Sequence, residues 1–364
     1  MNSSLRGHRR IFPFILMLGV LLVSGFQEGR AQISQPEGHL QSTDQDDFWP
    51  HTLSGNMFSE LWTYQFYLED GTKIHAVFTV GNFGNLKSAV SGLRLSVLFP
   101  DGETYHLARE YPLDKLVQDR QNHRLQFHPE RDLYIDGRLP DEHRVTIDTQ
   151  KDGVVFRLYI DFSNIQPGFK WGDGVYRIGK QDLGIITHIP YAEVHARGVV
   201  GDHAFDSEGT AYMDHTFQFQ TTTKMLEEGY RFVRQHSPTQ WDILYVLRPD
   251  DARGNRTLGH YIKRRGQTPE LEGIESARVE SRSRTFGKSV ADKVTFQRSG
   301  GDTLTIERLK NEERFSLFAE LSWLARQAAR TFLGGEVVDI RGVGRIEDSY
   351  GTSLEGEYNF FIVD

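Results

Sequence analysis

The sequence predicts an all-β protein of two consecutive domains with one short helix near the C-terminus. Three observations carry this. Short runs of β-branched and aromatic residues recur along the chain, separated by Gly, Asp-Gly and Pro-Asp turns. Aromatic content is 12%, with 24 Phe and 14 Tyr, which favours strands. At 364 residues the chain is long for one domain.

The elements follow in order. Leu61 to Leu68, Lys73 to Val80 and Leu93 to Phe99 read as the first strands, with Asp70-Gly71 and Asp101-Gly102 supplying turns. Arg144 to Asp148 and Val154 to Phe162 form a hairpin about Asp152-Gly153. The second half repeats the texture in Tyr191 to Val200, Ala211 to Gln220, Arg231 to Gln235 and Trp241 to Leu247. Ala277 to Ser283, Lys293 to Gln297, Thr303 to Arg308, Glu336 to Ile346 and Leu354 to Val363 complete it. Only Ser316 to Phe332 has helical spacing, with Phe318, Leu321, Leu324, Ala325, Ala328 and Phe332 on one stripe and Gly334-Gly335 after it. Many strands with almost no helix point to barrels or sandwiches. The expected division is a signal peptide over 1–31, a flexible lead-in over 32–50, and β domains over 51–190 and 191–364, with glycine-rich Gly168 to Gly184 near the middle.

The N-terminus is laid out as a cleavable secretory signal. Arg6, Arg9 and Arg10 precede the apolar run Ile11 to Phe26, and Gly29-Arg30-Ala31 places small residues before a cut after Ala31. That run is short of the roughly 20 residues that span a bilayer, so the sequence predicts export to the periplasm or medium without a stable membrane anchor. The absence of cysteine excludes disulfides, thiolate metal sites, cysteine nucleophiles and a lipidated cysteine. A net charge of −8 spread along the chain offers no nucleic-acid surface.

No nucleophile elbow, phosphate loop, dinucleotide fingerprint or HExxH occurs. The densest polar stretch is Tyr212-Met213-Asp214-His215-Thr216-Phe217-Gln218-Phe219. On a strand, Tyr212 and Asp214 share one face and His215 lies on the other, so without a bulge Asp214 and His215 cannot line one cavity. Two readings stand: Tyr212 and Asp214 as a proton-handling pair, or a hydrogen-bonded strand residue beside a satisfied core histidine. Tyr191, Glu193, His195 and Arg197 form a polar row opposite Ala192, Val194 and Ala196. One His and one Glu are too few for the usual metal site, so the row reads as an ion-pair ladder, with no metal or cofactor expected. Trp62, Tyr64, Phe66 and Leu68, and likewise Phe156, Leu158, Ile160 and Phe162, form apolar rows that are either core or the wall of a ligand chamber.

Several of these segments resemble the two-domain lipocalin-like superfamily that joins the carotenoid hydratases, the attachment-protein-like bacterial family and the fungal survival-factor proteins. Glu60-Leu61-Trp62-Thr63-Tyr64 with Leu68-Glu69-Asp70-Gly71 resembles its opening strand, and Gln166-Pro167-Gly168-Phe169-Lys170-Trp171-Gly172 the Pro-Gly-Phe-Lys segment of the survival-factor branch. Gly209-Thr210-Ala211-Tyr212-Met213-Asp214-His215 resembles the Gly-x-x-Tyr-x-Asp-His signature, and Gly342 to Tyr358 the closing strands. The signature commonly continues Asn-Trp-Gly, where this chain has Thr216-Phe217-Gln218.

The resemblance implies two lipocalin-like antiparallel barrels and an apolar small-molecule ligand, a lipid or isoprenoid. Trp62, Tyr64, Phe66, Trp171, His195 and His215 are the candidate ligand contacts. It also implies an alternative, an alkene hydratase or cyclase that transfers a proton from Asp214 with Tyr212. A third expectation is a non-catalytic surface or assembly protein. The sequence leaves turnover undecided.

Overall fold

A computed structural model describes residues 33–84, 88–250, 256–316, 330–331 and 333–364. It is almost wholly antiparallel β. The first sheet runs, in spatial order, Thr104–Pro112, Val90–Leu98, Lys73–Phe83, Met57–Leu68, His203–Gln218, Gln181–Val200, Val154–Ser163, Arg144–Lys151, Asp132–Asp136, Arg124–Gln126 and Val117–Asp119. The second is a closed eight-stranded barrel of Leu226–Ser237, Gln240–Pro249, Leu258–Arg265, Pro269–Thr285, Lys288–Arg298, Thr303–Ser316, Val337–Asp348 and Ser353–Val363. The last strand closes it by pairing with the first.

Local chemistry explains the hairpins. At Asp152-Gly153 both residues have positive φ, 52° and 84°, as a two-residue turn between right-twisted strands requires. Lys151 pairs with Val154 across it. Alternation then decides which side is buried. Trp62, Tyr64, Phe66, Phe78, Leu93 and Ile160 enter one core inside the curved first sheet. Tyr230, Phe232, Phe296, Ile340 and Phe360 fill the second barrel. Two further clusters, one around Tyr176, Leu183 and Leu247 and one around Phe169, Tyr212 and Trp241, take residues from both sheets and join them. The central strands are therefore covered on both faces: on Met57–Leu68, Thr63 and Gln65 are buried as well as Trp62, Tyr64 and Phe66.

Three expectations change. The chain passes from one sheet to the other between Gln218 and Leu226, through the short helix Thr222–Met225. The boundary expected at 190/191 falls inside the single strand Gln181–Val200. The glycines of 168–184 serve instead the short strands Phe169–Trp171 and Val175–Ile178, which pair within the first sheet.

The lead-in is ordered where it is described. Leu40–Ser42 pairs with Phe169–Trp171, and Phe48 and Trp49 are buried. The Gln35 side chain donates to the Ile274 carbonyl at 2.5 Å and accepts from the Gly259 amide at 3.1 Å, tying this segment to the second barrel. Its polar composition concealed two large apolar anchors. The signal peptide expected over 1–31 lies outside the described residues, as do residues 317–329, on which most of the expected C-terminal helix falls. Among the described residues no helix is long and apolar enough to cross a membrane.

Phe48 packs edge-on to Trp49, His143 and His188. Truncation of a buried Phe costs about 3–5 kcal/mol. Urea unfolding of Phe48→Ala will show a loss of that size if the lead-in is integral to the first domain. A flexible lead-in would leave the midpoint unchanged.

Candidate functional site

The chemistry-bearing residues collect where the two sheets meet. On the outer face of the second barrel, register places Tyr245, Arg231, Asn359, Arg341 and Glu313 side by side on five adjacent strands. The next row is Leu247, Gly229, Phe361, Asp339 and Phe315. On the facing sheet, Thr63, Val77 and Arg94 form one row and Gln65, His75 and Ser96 another. Period-2 alternation turns these side chains away from both cores and towards each other.

A cavity of about 160 Å³ lies between the two faces. Leu61, Val77, Leu183, Leu247, Val337 and Phe361 give it apolar walls, and His75, Arg94, Arg231, Asp339, Arg341 and Asn359 a polar end. A smaller space of about 40 Å³ shares His75, Ser96 and Arg341 and continues towards Lys73 and Glu357. Gly229 helps to keep the apolar end close-packed, since a Cβ there would fall 2.0 Å from the Phe361 ring. By contrast, a recess of about 150 Å³ at one end of the closed barrel has a charged rim of Lys263, Arg265, Arg298 and Asp348.

Electrostatics at the polar end follow from burial. Arg231 pairs with Asp214, which is wholly buried. Desolvation raises the Asp214 pKa, against the pull of Arg231. Burial alone would lower the Arg231 pKa, but Asp214 and then Tyr245 hold it above its ordinary value. Asp339 is raised by burial as well, opposed by Arg341, Arg231 and Arg94. Burial, with Arg341 and Arg231 nearby, drives the His75 pKa far down, so its ring is neutral. Arg341 is paired with Glu313 at 3.0 Å.

The two faces of His203–Gln218 do separate Asp214 from His215. Asp214 points to Arg231, whereas the His215 Nε2 meets Glu60 Oε1 at 2.7 Å and its Nδ1 meets the Asp47 carbonyl at 3.0 Å. The Trp62 ring stacks on His215 with centroids 4.5 Å apart. Glu60 also accepts from the His51 amide, the Thr52 amide and the Thr52 hydroxyl at 2.8, 3.1 and 2.7 Å. Ligand atoms of His51, Glu60 and His215 lie within 4.8 Å of one another, near enough for a metal. Both His215 nitrogens already face acceptors of the protein, Glu60 and the Asp47 carbonyl. The arrangement clamps the lead-in onto the first sheet.

The remaining expected ligand contacts are elsewhere. Trp62, Tyr64 and Phe66 have no exposed surface and belong to the first core. Tyr64 bonds to His143 at 2.8 Å, whose pKa burial lowers to about 3. Tyr212 is buried in an intersheet cluster and does not line the cavity. Trp171 donates to the Gly38 carbonyl at 3.1 Å and rests against Gly273 of the second barrel. His195 lies on an outer strand face, 2.5 Å from Asp206 and beside the Arg197–Asp161 pair, as a ladder of ion pairs. Sequence reasoning missed Arg94, Arg231, Asp339 and Arg341. Each alternates with apolar residues, the usual mark of a solvent-facing side chain, and only the second sheet makes that face an interior.

No family model and no curated protein matches the sequence. Among solved structures, a protein from Nitrosomonas europaea provisionally named AttH superposes with a TM-score of 0.60 at 12% identity, covering 89% of this chain and 97% of that one. CghA with bound Sch210972 superposes with a TM-score of 0.55 at 11% identity, covering 89% and 98%. The chain has their fold. This is the two-domain lipocalin-like architecture that the sequence resemblance implied, with an open first sheet and a closed second barrel. At such identities the likeness concerns the fold alone.

The Glu60–His215 pair generates a pH-dependent prediction. Burial would raise Glu60, but the His215 hydrogen bond and charge, with Thr52 and the His51 amide, outweigh it and hold Glu60 below its ordinary 4.5. A carboxyl depressed in the folded state stabilises above its unfolded pKa and loses that contribution as the pH falls through the folded value. Glu60→Gln removes the buried carboxylate on which the His215 ring and the His51 and Thr52 donors converge, and should cost about 3–5 kcal/mol at neutral pH. In urea titrations the gap from wild type should close as the pH drops below 4.5. A gap independent of pH would contradict a Glu60 carboxyl held below its ordinary value.

Proposed function

We propose that the protein binds an apolar small molecule of the lipid or isoprenoid class in the cavity between its two sheets, and that it does so after export. The observation that carries this reading is where the space lies. Aromatic and aliphatic side chains occupy both cores, while the intersheet cavity combines apolar walls with a few convergent polar groups. Its volume is close to that of the roughly 150 Å³ apolar cavity known to hold one benzene. A ring or a branched five-carbon unit therefore fits within it.

A second reading keeps the alkene-protonating enzyme. Its support is the desolvated Asp214, whose pKa is raised and which stands behind Arg231 at the cavity's polar end. Neither Asp214 nor Tyr212 is on the wall, so a proton from Asp214 reaches a substrate only if Arg231 swings aside. Binding without turnover needs no such motion and is the reading we favour.

Native mass spectrometry of the purified protein, followed by organic extraction, tests the proposal. Leu61→Trp directs an indole into the cavity, at an overpacking cost of about 1–3 kcal/mol. Wild type should carry, or take up from added isoprenoid alcohol, an apolar molecule that the variant excludes while keeping its strand content by circular dichroism. Equal loading of the two proteins would place the ligand elsewhere.

A further inference from the structure

We infer that the cavity's ligand is an apolar molecule ending in an oxyanion, held by the Arg231–Asn359–Arg341 row with Arg94 opposite, and that Asp339 sets how strongly that charge is accepted. This rests on the binding function proposed above and specifies the chemistry of the ligand.

Donors dominate the polar end. Arg231, Asn359 and Arg341 are neighbours on three adjacent strands, and Arg94 faces them from the first sheet. A guanidinium has donors only, and among the described residues the one acidic side chain on the wall is Asp339. Asn359 is 4% exposed, and its amide nitrogen has no hydrogen-bond partner among the described residues. The Nε atoms of Arg231 and Arg341 are likewise buried without one. Buried donors in native proteins nearly always find an acceptor. The guanidinium groups of Arg94, Arg231 and Arg341 bring donors alone to the cavity lining, so the guest that suits that end is acceptor-rich. Asp214 and Glu313 already balance part of the charge of Arg231 and Arg341. What the row offers an incoming anion is directed, charge-assisted hydrogen bonding in a partly enclosed site.

Asp339 differs from these groups in its surroundings. Across the strands it is flanked by Phe361 and Phe315, in the row that is otherwise apolar. The charged groups acting on it are Arg341 on its own strand, Glu313 on the neighbouring strand, Arg231 on the first barrel strand and Arg94 on the facing sheet. His75, also on the facing sheet, is neutral. Neutral Asp339 donates a hydrogen bond to a bound oxyanion, whereas ionised Asp339 repels it. Burial raises its pKa, which favours the neutral form in mild acid. Binding of a permanent anion should therefore weaken as the pH rises through the titration of Asp339.

The experiment compares hexyl sulfonate, an anion at every working pH, with hexanol, which has the same chain and no charge, by isothermal titration calorimetry. Wild type should bind the sulfonate on the order of tenfold more tightly than hexanol, as a charged hydrogen-bonded group warrants. Asp339→Asn keeps a donor and removes the titrating charge. It should abolish the pH dependence of sulfonate binding. Leu61→Trp should remove binding of both compounds. Hexanol binding as tightly as the sulfonate, or an unchanged pH dependence in Asp339→Asn, would overturn the inference and leave apolar binding standing. If neither compound binds, the proposed function fails first. Sulfonate binding that survives Leu61→Trp would assign it to the surface and also overturn the inference. The urea midpoint of Asp339→Asn confirms that the comparison is made between folded proteins.

Discussion

The ion pair between Arg231 and Asp214 crosses from the closed barrel to the first sheet, and the arrangement of the interface follows from it. Asp214 is shut away from water and Arg231 is largely so, and each depends on the other for compensation. Removing one partner of such a pair costs about 3–5 kcal/mol, because the other is left buried and uncompensated. The pair fixes which strand faces meet and keeps charged rows from collapsing onto each other. Beside it, the absence of a side chain at Gly229 gives Phe361 room to lie flat against the barrel. Fixed ions on one side and a lowered apolar row on the other leave the space between the sheets.

That geometry relocates the site that a lipocalin-like fold suggests. A barrel of about eight strands is just wide enough for side chains to fill or for one small ligand. Here Tyr230, Phe232, Phe296 and Phe360 occupy the second barrel, and Trp62, Tyr64 and Phe78 do the same beneath the first sheet. The stretch Tyr212-Met213-Asp214-His215 then serves both sides of its sheet. Asp214 contributes to the intersheet polar network and His215 to the clamp on the lead-in. A segment that looks like one chemical unit in sequence is two structural units back to back.

Much of the fold was legible because alternation reports one buried face well. Trp62, Tyr64, Phe66 and Leu68 announce their strand, and Asp152-Gly153 announces its hairpin. What alternation does not report is the fate of the other face. Asp339 and Arg341 alternate with Val338 and Ile340 as they would on a strand facing water, yet they line an enclosed space. The strands Thr104–Pro112 and Leu258–Arg265 were missed for a related reason. The first is mostly half-buried, with little contrast between its faces; the second is buried on both through most of its length. The domain boundary was misplaced because glycines mark turns within a sheet as readily as linkers between sheets. Among the site residues, Asp214 and His215 were marked by their local company, whereas Arg94, Arg231 and Asp339 come together only through register and packing.

The central claim is that the accessible apolar space of this protein lies between the sheets and not within them. Xenon, which enters dry apolar cavities without needing polar contacts, tests this in pressurised crystals. Anomalous density between Leu61, Val77, Leu247 and Phe361 is the predicted result. Density inside either aromatic core, with none between the sheets, would contradict the account.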